Sequence, residues 1–196
     1  MIKIILASSS KQRQDIFKMI GVKYEVVTSD VDEESCEKQP SKYVEELSKN
    51  KALSVKRQIA DRAIIIAADT IIYCNGKKYE KPKSKDEAYS NLKELSGKKN
   101  SAYTGVTILD LYKNKTITFY SKVDVYFKDI TDSEIEWYVN NEMKIFKCCG
   151  YVPLGKASIF IDKINGDYNT LLGISPSVLY ENFKKLGYTA KDIPIE

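Results

Sequence analysis

The segment 63-AIIIAADTIIY-73 is the most strand-like part of this chain. It is apolar almost throughout, and isoleucine, a β-branched residue, is its commonest member. A short apolar run of this composition is typical of a buried strand. The Asn75-Gly76 pair that follows favours a tight hairpin turn. The segment therefore predicts a buried strand whose chain turns back at residues 75 and 76.

Strand and helix signals alternate on both sides of this segment. The apolar run Ile2–Leu6 predicts another buried strand, and Ser10 is suited to cap the helix that follows, which Gly21 ends. The other predicted strands lie at 24–28, 101–112, 116–127 and 157–164, and the other predicted helices at 40–59, 84–95, 131–139 and 178–186. This interleaving predicts an α/β protein with a mixed sheet.

Length and charge restrict the class of protein. The 196 residues suffice for one domain with a sizeable core or for two lobes that share a cleft, and we predict a single domain over residues 1–196. The net charge of +4 permits anionic ligands, but no basic stripe with interleaved aromatic residues is present, so we expect no nucleic-acid partner. No stretch approaches the roughly 18 apolar residues of a membrane span, and no signal-peptide layout is seen, so we expect a cytoplasmic protein without a membrane partner.

The chain contains no histidine, which excludes histidine-based catalytic triads and histidine-ligated metals. Its four cysteines include the adjacent pair Cys148 and Cys149 and have no Cys-x-x-Cys spacing, so we interpret them as reduced thiols. Any chemistry is therefore left to carboxylates, lysines, hydroxyls and metals with oxygen ligands.

The segment 5-ILASSSKQRQDIF-17 places cations where a helix start disfavours them. Lys11 and Arg13 lie in the first helical turn, where the helix dipole favours negative charge. A bound phosphate would reverse that preference, since it could accept from backbone N–H groups and from the hydroxyls of Ser8, Ser9 and Ser10. The alternative is a solvated helix start with incidental cations.

Asp69 interrupts the apolar strand at 63–73. An unpaired buried carboxylate costs several kcal/mol, so Asp69 needs a metal, a lysine, a set of hydrogen bonds or a position facing a cleft. A carboxylate held on a strand at a cleft can serve as a rigid general base or metal ligand. The alternative is a structural ion pair.

Two further groups of residues could take part in binding or catalysis. The acidic run that contains Asp30, Asp32, Glu33 and Glu34 suits Mg²⁺ or Mn²⁺, although it could equally be a solvated loop. Lys81 precedes a proline, which stiffens its backbone, and a held lysine suits a phosphate or a catalytic carboxylate.

The alternative interpretation of Lys81 is an ordinary surface lysine without a functional role. The same alternative applies to Lys51 and Lys147.

Taken together, these segments resemble the Maf family of nucleoside triphosphate pyrophosphatases, which is related to inosine triphosphatase. The resemblance is carried in order by LASSSKQRQDI, AADTII, EKPKSKDEAYSNLKELSG, YTGVTIL, EIEWYVNNEMKIFKCCGYVPLGKASIFI and INGDYNTLLGIS. It implies an elongated mixed sheet flanked by helices, with two lobes around a deep cleft. It also implies metal-dependent cleavage of nucleoside triphosphates to the monophosphate and pyrophosphate, with Mg²⁺ or Mn²⁺ as the cofactor.

The resemblance assigns roles to the unusual residues. The opening serines and Arg13 would hold the triphosphate, and Lys51 and Lys81 would neutralise charge on the leaving pyrophosphate. Asp69 matches the catalytic carboxylate that orients or deprotonates water and, with Glu33, would bind the metal.

The positions that read the base depart from the family pattern. Gln12 stands where the family has a specificity arginine, and Leu154 where it often has a glutamine. Thr70 matches the branch that prefers thymidine and uridine triphosphates. Lys147 is a further expected substrate contact. We therefore predict a relaxed enzyme that takes dTTP and UTP along with modified or other bases.

Two other classes compete with this reading. One is a nucleotide-binding regulator of cell division and septum formation without essential catalysis, which would not need Asp69, Lys51 and Lys81 together. The other is a nucleic-acid-binding module, which the absence of a basic stripe disfavours. The sequence leaves the oligomeric state open, including a homodimer.

Overall fold

A computed structural model of the chain describes residues 2–31, 35–148 and 150–195. It is a mixed α/β structure. Its strands are β1 (Ile4–Leu6), β2 (Glu25–Val26), β3 (Ile64–Cys74), β4 (Lys77–Tyr79), β5 (Lys99–Asp110), β6 (Lys115–Phe127) and β7 (Ile161–Asn165). Its α-helices are α1 (Lys11–Met19), α2 (Pro40–Gln58), α3 (Lys85–Leu95), α4 (Asp132–Asn141), α5 (Tyr168–Leu171) and α6 (Pro176–Lys185). No helix in this described part of the chain combines the length and the apolar character that crossing a membrane requires.

The strands form one seven-stranded sheet in the order β2-β1-β3-β5-β6-β7, with β4 paired to β3. β1 runs parallel to both β2 and β3, and Ile5 lies opposite Ile65 in that register. β4 is antiparallel to β3, and β7 is antiparallel to β6. Parallel and antiparallel pairs thus share a sheet, which confirms the predicted mixed α/β class.

The chain divides into two compact units. The first comprises Met1–Asp69, Thr104–Ser121 and Leu172–Glu196, and the second comprises Thr70–Tyr103 and Lys122–Leu171. Each unit has its own apolar core: Phe17 and Ile66 belong to the first, and Leu92 and Tyr138 to the second. The single domain over 1–196 and the deep cleft that the resemblance implies both stay predictions.

Helix α2 packs directly on strand β5 in the first unit. A Cβ atom added at Gly105 would lie 2.1 Å from the carbonyl oxygen of Val44, so only glycine allows the two backbones to approach this closely. Val44 and Lys51 are seven residues apart, two helical turns, and both face inward. The contact at Gly105 therefore helps to set the depth of the helix face that carries Lys51.

The predicted hairpin after β3 is confirmed. Asn75 and Gly76 both have positive φ, 49° and 82°, which is the requirement of the turn that suits a two-residue hairpin. The strand predicted at 24–28 is shorter, since only Glu25–Val26 pairs with β1.

The strand predicted at 157–164 is wrong in its first half. Lys156–Phe160 is a 3₁₀ helix, and the strand begins only at Ile161. Ala157 and Phe160 are the two buried residues of that helix, and their spacing of three matches one 3₁₀ turn.

Candidate active site

Asp69 and Lys51 form a buried ion pair in the first unit. Lys51 Nζ donates to Asp69 Oδ1 at 2.6 Å, and the two residues are only 6% and 8% exposed. The structure thus supplies the lysine that a buried carboxylate needs. Asp69 Oδ2 makes no hydrogen bond or ion pair with any described residue, so one oxygen of the carboxylate is held and the other is left for a ligand.

Rigid elements carry both members of the pair. Asp69 follows six fully buried residues, 63–68, on β3, which β1 and β5 flank in the sheet. Lys51 lies on the buried face of α2, beside Ala52 and one turn after Leu47. A charged pair on a strand and a helix that are both packed into a core has little freedom to move, as catalytic groups require.

Ser8 and Arg13 also lie together in the first unit. Arg13 Nη1 donates to Ser8 Oγ at 3.2 Å, and Arg13 Nε donates to the carbonyl oxygen of Gly173 at 3.0 Å. Gly173 has φ +107°, and a Cβ atom there would approach Arg13 Nε to 2.9 Å. The guanidinium is therefore oriented from two sides, and the side chain fits only because residue 173 is glycine.

The hydroxyl of Ser10 does not cap α1, contrary to the sequence prediction. Ser10 occupies the N-cap position, but its side chain makes no capping hydrogen bond, and its own N–H donates to Ser8 Oγ at 3.2 Å. Ser8 is buried while Ser9 is exposed, so the three serines are not equivalent. Lys11 is exposed and forms a 3.2 Å ion pair with Asp15, a surface pair at i,i+4 spacing.

Gln12, the predicted base-reading residue of α1, is partly buried.

The acidic run is described only in part. Asp30 accepts a hydrogen bond from the hydroxyl of Ser54 on α2, and that bond lowers the pKa of Asp30. The predicted metal ligand Glu33 lies outside the described residues, as do Asp32 and Glu34. Within residues 2–31, 35–148 and 150–195, no three acidic or cysteine side chains come together as a metal-binding cluster.

The other predicted site residues, catalytic Lys81 and three substrate-binding residues, belong to the second unit. Thr70, next to Asp69 on β3, is partly buried, and Lys81, Lys147 and Leu154 are exposed. None of these last three lies in a strand or an α-helix, although Lys147 ends a 3₁₀ turn. The structure thus places Lys51, Asp69, Ser8 and Arg13 in one unit and Lys81, Lys147 and Leu154 in the other.

Gly173 is a residue that sequence reasoning missed. Its segment, LLGIS, carried part of the resemblance, but nothing in its composition indicated an arginine 160 positions earlier. The available signal was a glycine within an apolar run, which often marks a close approach of another group.

The family model described as Maf-like protein matches residues 3–186. The chain is 38% identical over 183 residues to a dTTP/UTP pyrophosphatase of Thermoanaerobacter sp. (strain X514), covering 93% of this chain and 96% of that one. It is 40% identical over 190 residues to a dTTP/UTP pyrophosphatase of Clostridium tetani, covering 93% and 97%.

Among solved structures, the Ham1 protein of Staphylococcus aureus matches 65% of this chain and 72% of its own. The TM-score is 0.46 and the sequence identity 17%.

Proposed function

The chain belongs to the Maf-like protein family, and from that premise we propose that it hydrolyses nucleoside triphosphates, dTTP and UTP among them, to the monophosphate and pyrophosphate. The observation that carries this proposal is the buried Lys51–Asp69 pair, 2.6 Å apart, in a chain similar over nearly its whole length to pyrophosphatases of that specificity. A protein that only binds nucleotides has no need of a carboxylate held in this way.

Asp69 acts on water in this proposal. With Oδ1 held by Lys51, Oδ2 accepts a proton from a water molecule whose oxygen attacks the α-phosphorus. A bond forms between that oxygen and phosphorus, and the bond from phosphorus to the bridging oxygen breaks. Pyrophosphate leaves with the electron pair, and Lys51 and Lys81 are the cations that we propose to stabilise the charge developing on it.

Arg13 and Ser8 bind the triphosphate. Ser8 Oγ and the carbonyl of Gly173 set the orientation of the guanidinium, and a pre-oriented guanidinium loses little freedom when it binds a phosphate. The remaining opening serines supply hydroxyl and backbone donors. The positive charge in the first turn of α1, unfavourable in the free protein, becomes favourable once an anion is bound.

A divalent cation, Mg²⁺ or Mn²⁺, is the proposed cofactor. Mg²⁺ is typically held by one or two carboxylates together with the phosphates of the substrate, so a single described carboxylate at the site is compatible with such an ion. Asp69 is one such carboxylate, and Glu33 is the second that we propose. When bound, the ion would offset negative charge on the phosphates.

We further propose that the substrate range is relaxed and extends to modified bases. Gln12 and Leu154 support this, since Gln12 lacks the charged fork of an arginine and Leu154 lacks an amide that could bind a base edge. A cytoplasmic location, without membrane or nucleic-acid partners, is part of the same proposal and agrees with a nucleotide substrate.

One experiment tests the function directly. The purified chain is incubated with Mg²⁺ and a panel of canonical and modified nucleoside triphosphates, and pyrophosphate and monophosphate are both measured. We expect equimolar release of the two products, with dTTP and UTP among the best substrates. Binding of nucleotides without turnover on the whole panel would favour the regulator instead, and release of orthophosphate in place of pyrophosphate would contradict the proposed bond cleavage.

A further inference from the structure

Asn100 has a buried amide that is only half satisfied. The residue is 0% exposed on β5, and its Oδ1 accepts a hydrogen bond from the hydroxyl of Tyr151 at 3.0 Å. Its Nδ2 has no hydrogen-bond partner among the described residues. A buried amide with only one of its two polar atoms bonded contributes less to the stability of the folded protein than an apolar side chain of the same shape. Its presence calls for a reason other than stability.

Among the described residues, Tyr151 alone donates a side-chain hydrogen bond to Asn100, and it is as deeply buried. It is 1% exposed, and its ring lies 4.7 Å from that of Phe127, centroid to centroid. Burial raises the pKa of the Tyr151 hydroxyl, so the hydroxyl keeps its proton and remains a donor. Asn100 thus provides a fixed acceptor for a fixed donor.

The neighbours of Tyr151 in the chain are tied down by their backbone. The N–H of Val152 donates to the hydroxyl of Tyr138 on α4 at 2.9 Å, and the N–H of Gly150 donates to the carbonyl oxygen of Glu80 at 3.3 Å. Glu80 directly precedes Lys81. Three consecutive residues, 150–152, are therefore attached to β5, to α4 and to the residue before Lys81.

These attachments lie between two predicted substrate residues. Lys147 stands three residues before Gly150, and Leu154 two residues after Val152; both are exposed and outside strands and α-helices. We propose that Asn100 and Tyr151 are positioning residues, which hold residues 147, 148 and 150–154 and the backbone at Lys81 in one arrangement for the substrate. This inference rests on the proposed function. It explains why the protein keeps an unsatisfied amide, since an apolar residue would pack as well but could not fix Tyr151.

The test separates stability from positioning. The variant Asn100→Leu/Tyr151→Phe removes the bond and both polar groups, so nothing buried is left unpaired. We expect its unfolding temperature to stay at or above that of the wild type. We expect kcat/KM for dTTP to fall by about tenfold, mostly through a higher KM, because displaced binding groups lose their alignment. Amide hydrogen exchange at Gly150 and Val152 should become faster.

Tyr188→Phe is the matched control. Tyr188 is buried, its hydroxyl donates to Asp110 Oδ2 at 2.9 Å, and it belongs to the unit that contains neither Asn100 nor Tyr151. This variant should unfold at a lower temperature while its KM and kcat stay unchanged.

Unchanged exchange at Gly150 and Val152 in the double variant, or a wild-type KM, would overturn the positioning role. A wild-type chain that is inactive on every nucleotide would overturn the proposed function instead, and the exchange measurement would still decide whether Asn100 and Tyr151 hold the chain at Gly150 and Val152.

Discussion

The predicted site residues of the two units differ in burial. In the first, Lys51 and Asp69 are bonded to each other inside the core, on a helix and a central strand. In the second, Lys81, Lys147 and Leu154 are exposed and lie outside strands and α-helices. The pair that we propose to act on water thus lies in parts that tolerate little change, while Lys81, Lys147 and Leu154 stand where substitution is easier.

Asp69→Asn should have the largest effect, because it acts on the buried pair. The amide cannot accept a proton from water, so kcat for dTTP should fall by about 10²–10⁴-fold while nucleotide binding is kept. Steady-state kinetics and calorimetric titration with a non-hydrolysable triphosphate measure the two quantities.

Asp110→Asn is the control for that variant. Asp110 is equally buried, on β5 in the first unit, but it accepts from the Tyr188 hydroxyl and from the backbone of Tyr112 and Lys113, which makes it a structural carboxylate. It should reduce stability without reducing kcat. Turnover near the wild-type rate in Asp69→Asn would remove Asp69 from the mechanism.

The second prediction breaks the same pair from the lysine side. Lys51→Met leaves Asp69 buried without its cation, and the free energy of unfolding should drop by about 3–5 kcal/mol. The double variant Lys51→Met/Asp69→Leu should recover most of that loss, because two apolar residues replace two charges. Denaturant unfolding gives all values.

Lys49→Met, an exposed change on the same helix, should shift stability by no more than about 0.5 kcal/mol. If Lys51→Met were equally neutral, the Lys51–Asp69 pair would contribute nothing to folding stability. The first unit would then not depend on this pair.

The sequence predicted much about the buried strand that carries Asp69 and little about the surroundings of Lys81, Lys147 and Leu154. The apolar run around Asp69 identified both the strand and the need for a partner, since a buried charge must be compensated. It left open which lysine would be that partner, because Lys51 lies 18 residues away on a helix and is indistinguishable from a surface lysine until that helix is packed. The Asn75-Gly76 turn was predictable because the two residues alone determine its backbone.

Contacts across long sequence separations were not predictable. Arg13 and Gly173, or Asn100 and Tyr151, become neighbours only through the tertiary fold. The strand expected at 157–164 failed for a local reason, since an apolar run as short as this one is compatible with either a strand or a helical turn. Ser10 does occupy the N-cap position, but sequence spacing does not determine the side-chain rotamer, and its hydroxyl makes no capping hydrogen bond.

The third prediction concerns the position of Arg13 and is smaller. Gly173→Ala forces a Cβ against Arg13 Nε and should raise KM for dTTP by about tenfold, the value of one hydrogen bond to a charged group. Gly21→Ala is the control, because residue 21 also has positive φ, +67°, but no atom within 4 Å of the added Cβ. Both variants lose stability from backbone strain, and only the first should alter KM. An equal KM in the two would mean that the position of Arg13 is not important for binding.

The smallest expected effect is in the exposed part, at Leu154. This side chain is 47% exposed, so Leu154→Gln should leave the unfolding temperature unchanged. The new amide can donate to and accept from a base edge, and one such bond is worth about 1 kcal/mol, or roughly fivefold in kcat/KM. We therefore expect the ratio of kcat/KM for dTTP to that for CTP to change by about that factor, while kcat for dTTP stays near the wild-type value. Ile159→Gln is the matched control, since Ile159 is 56% exposed in the same unit and no substrate role is predicted for it. It should leave the ratio unaltered. If the two variants gave the same ratio, base selection would not depend on residue 154, and its exposure would not make it a position at which base preference can be changed.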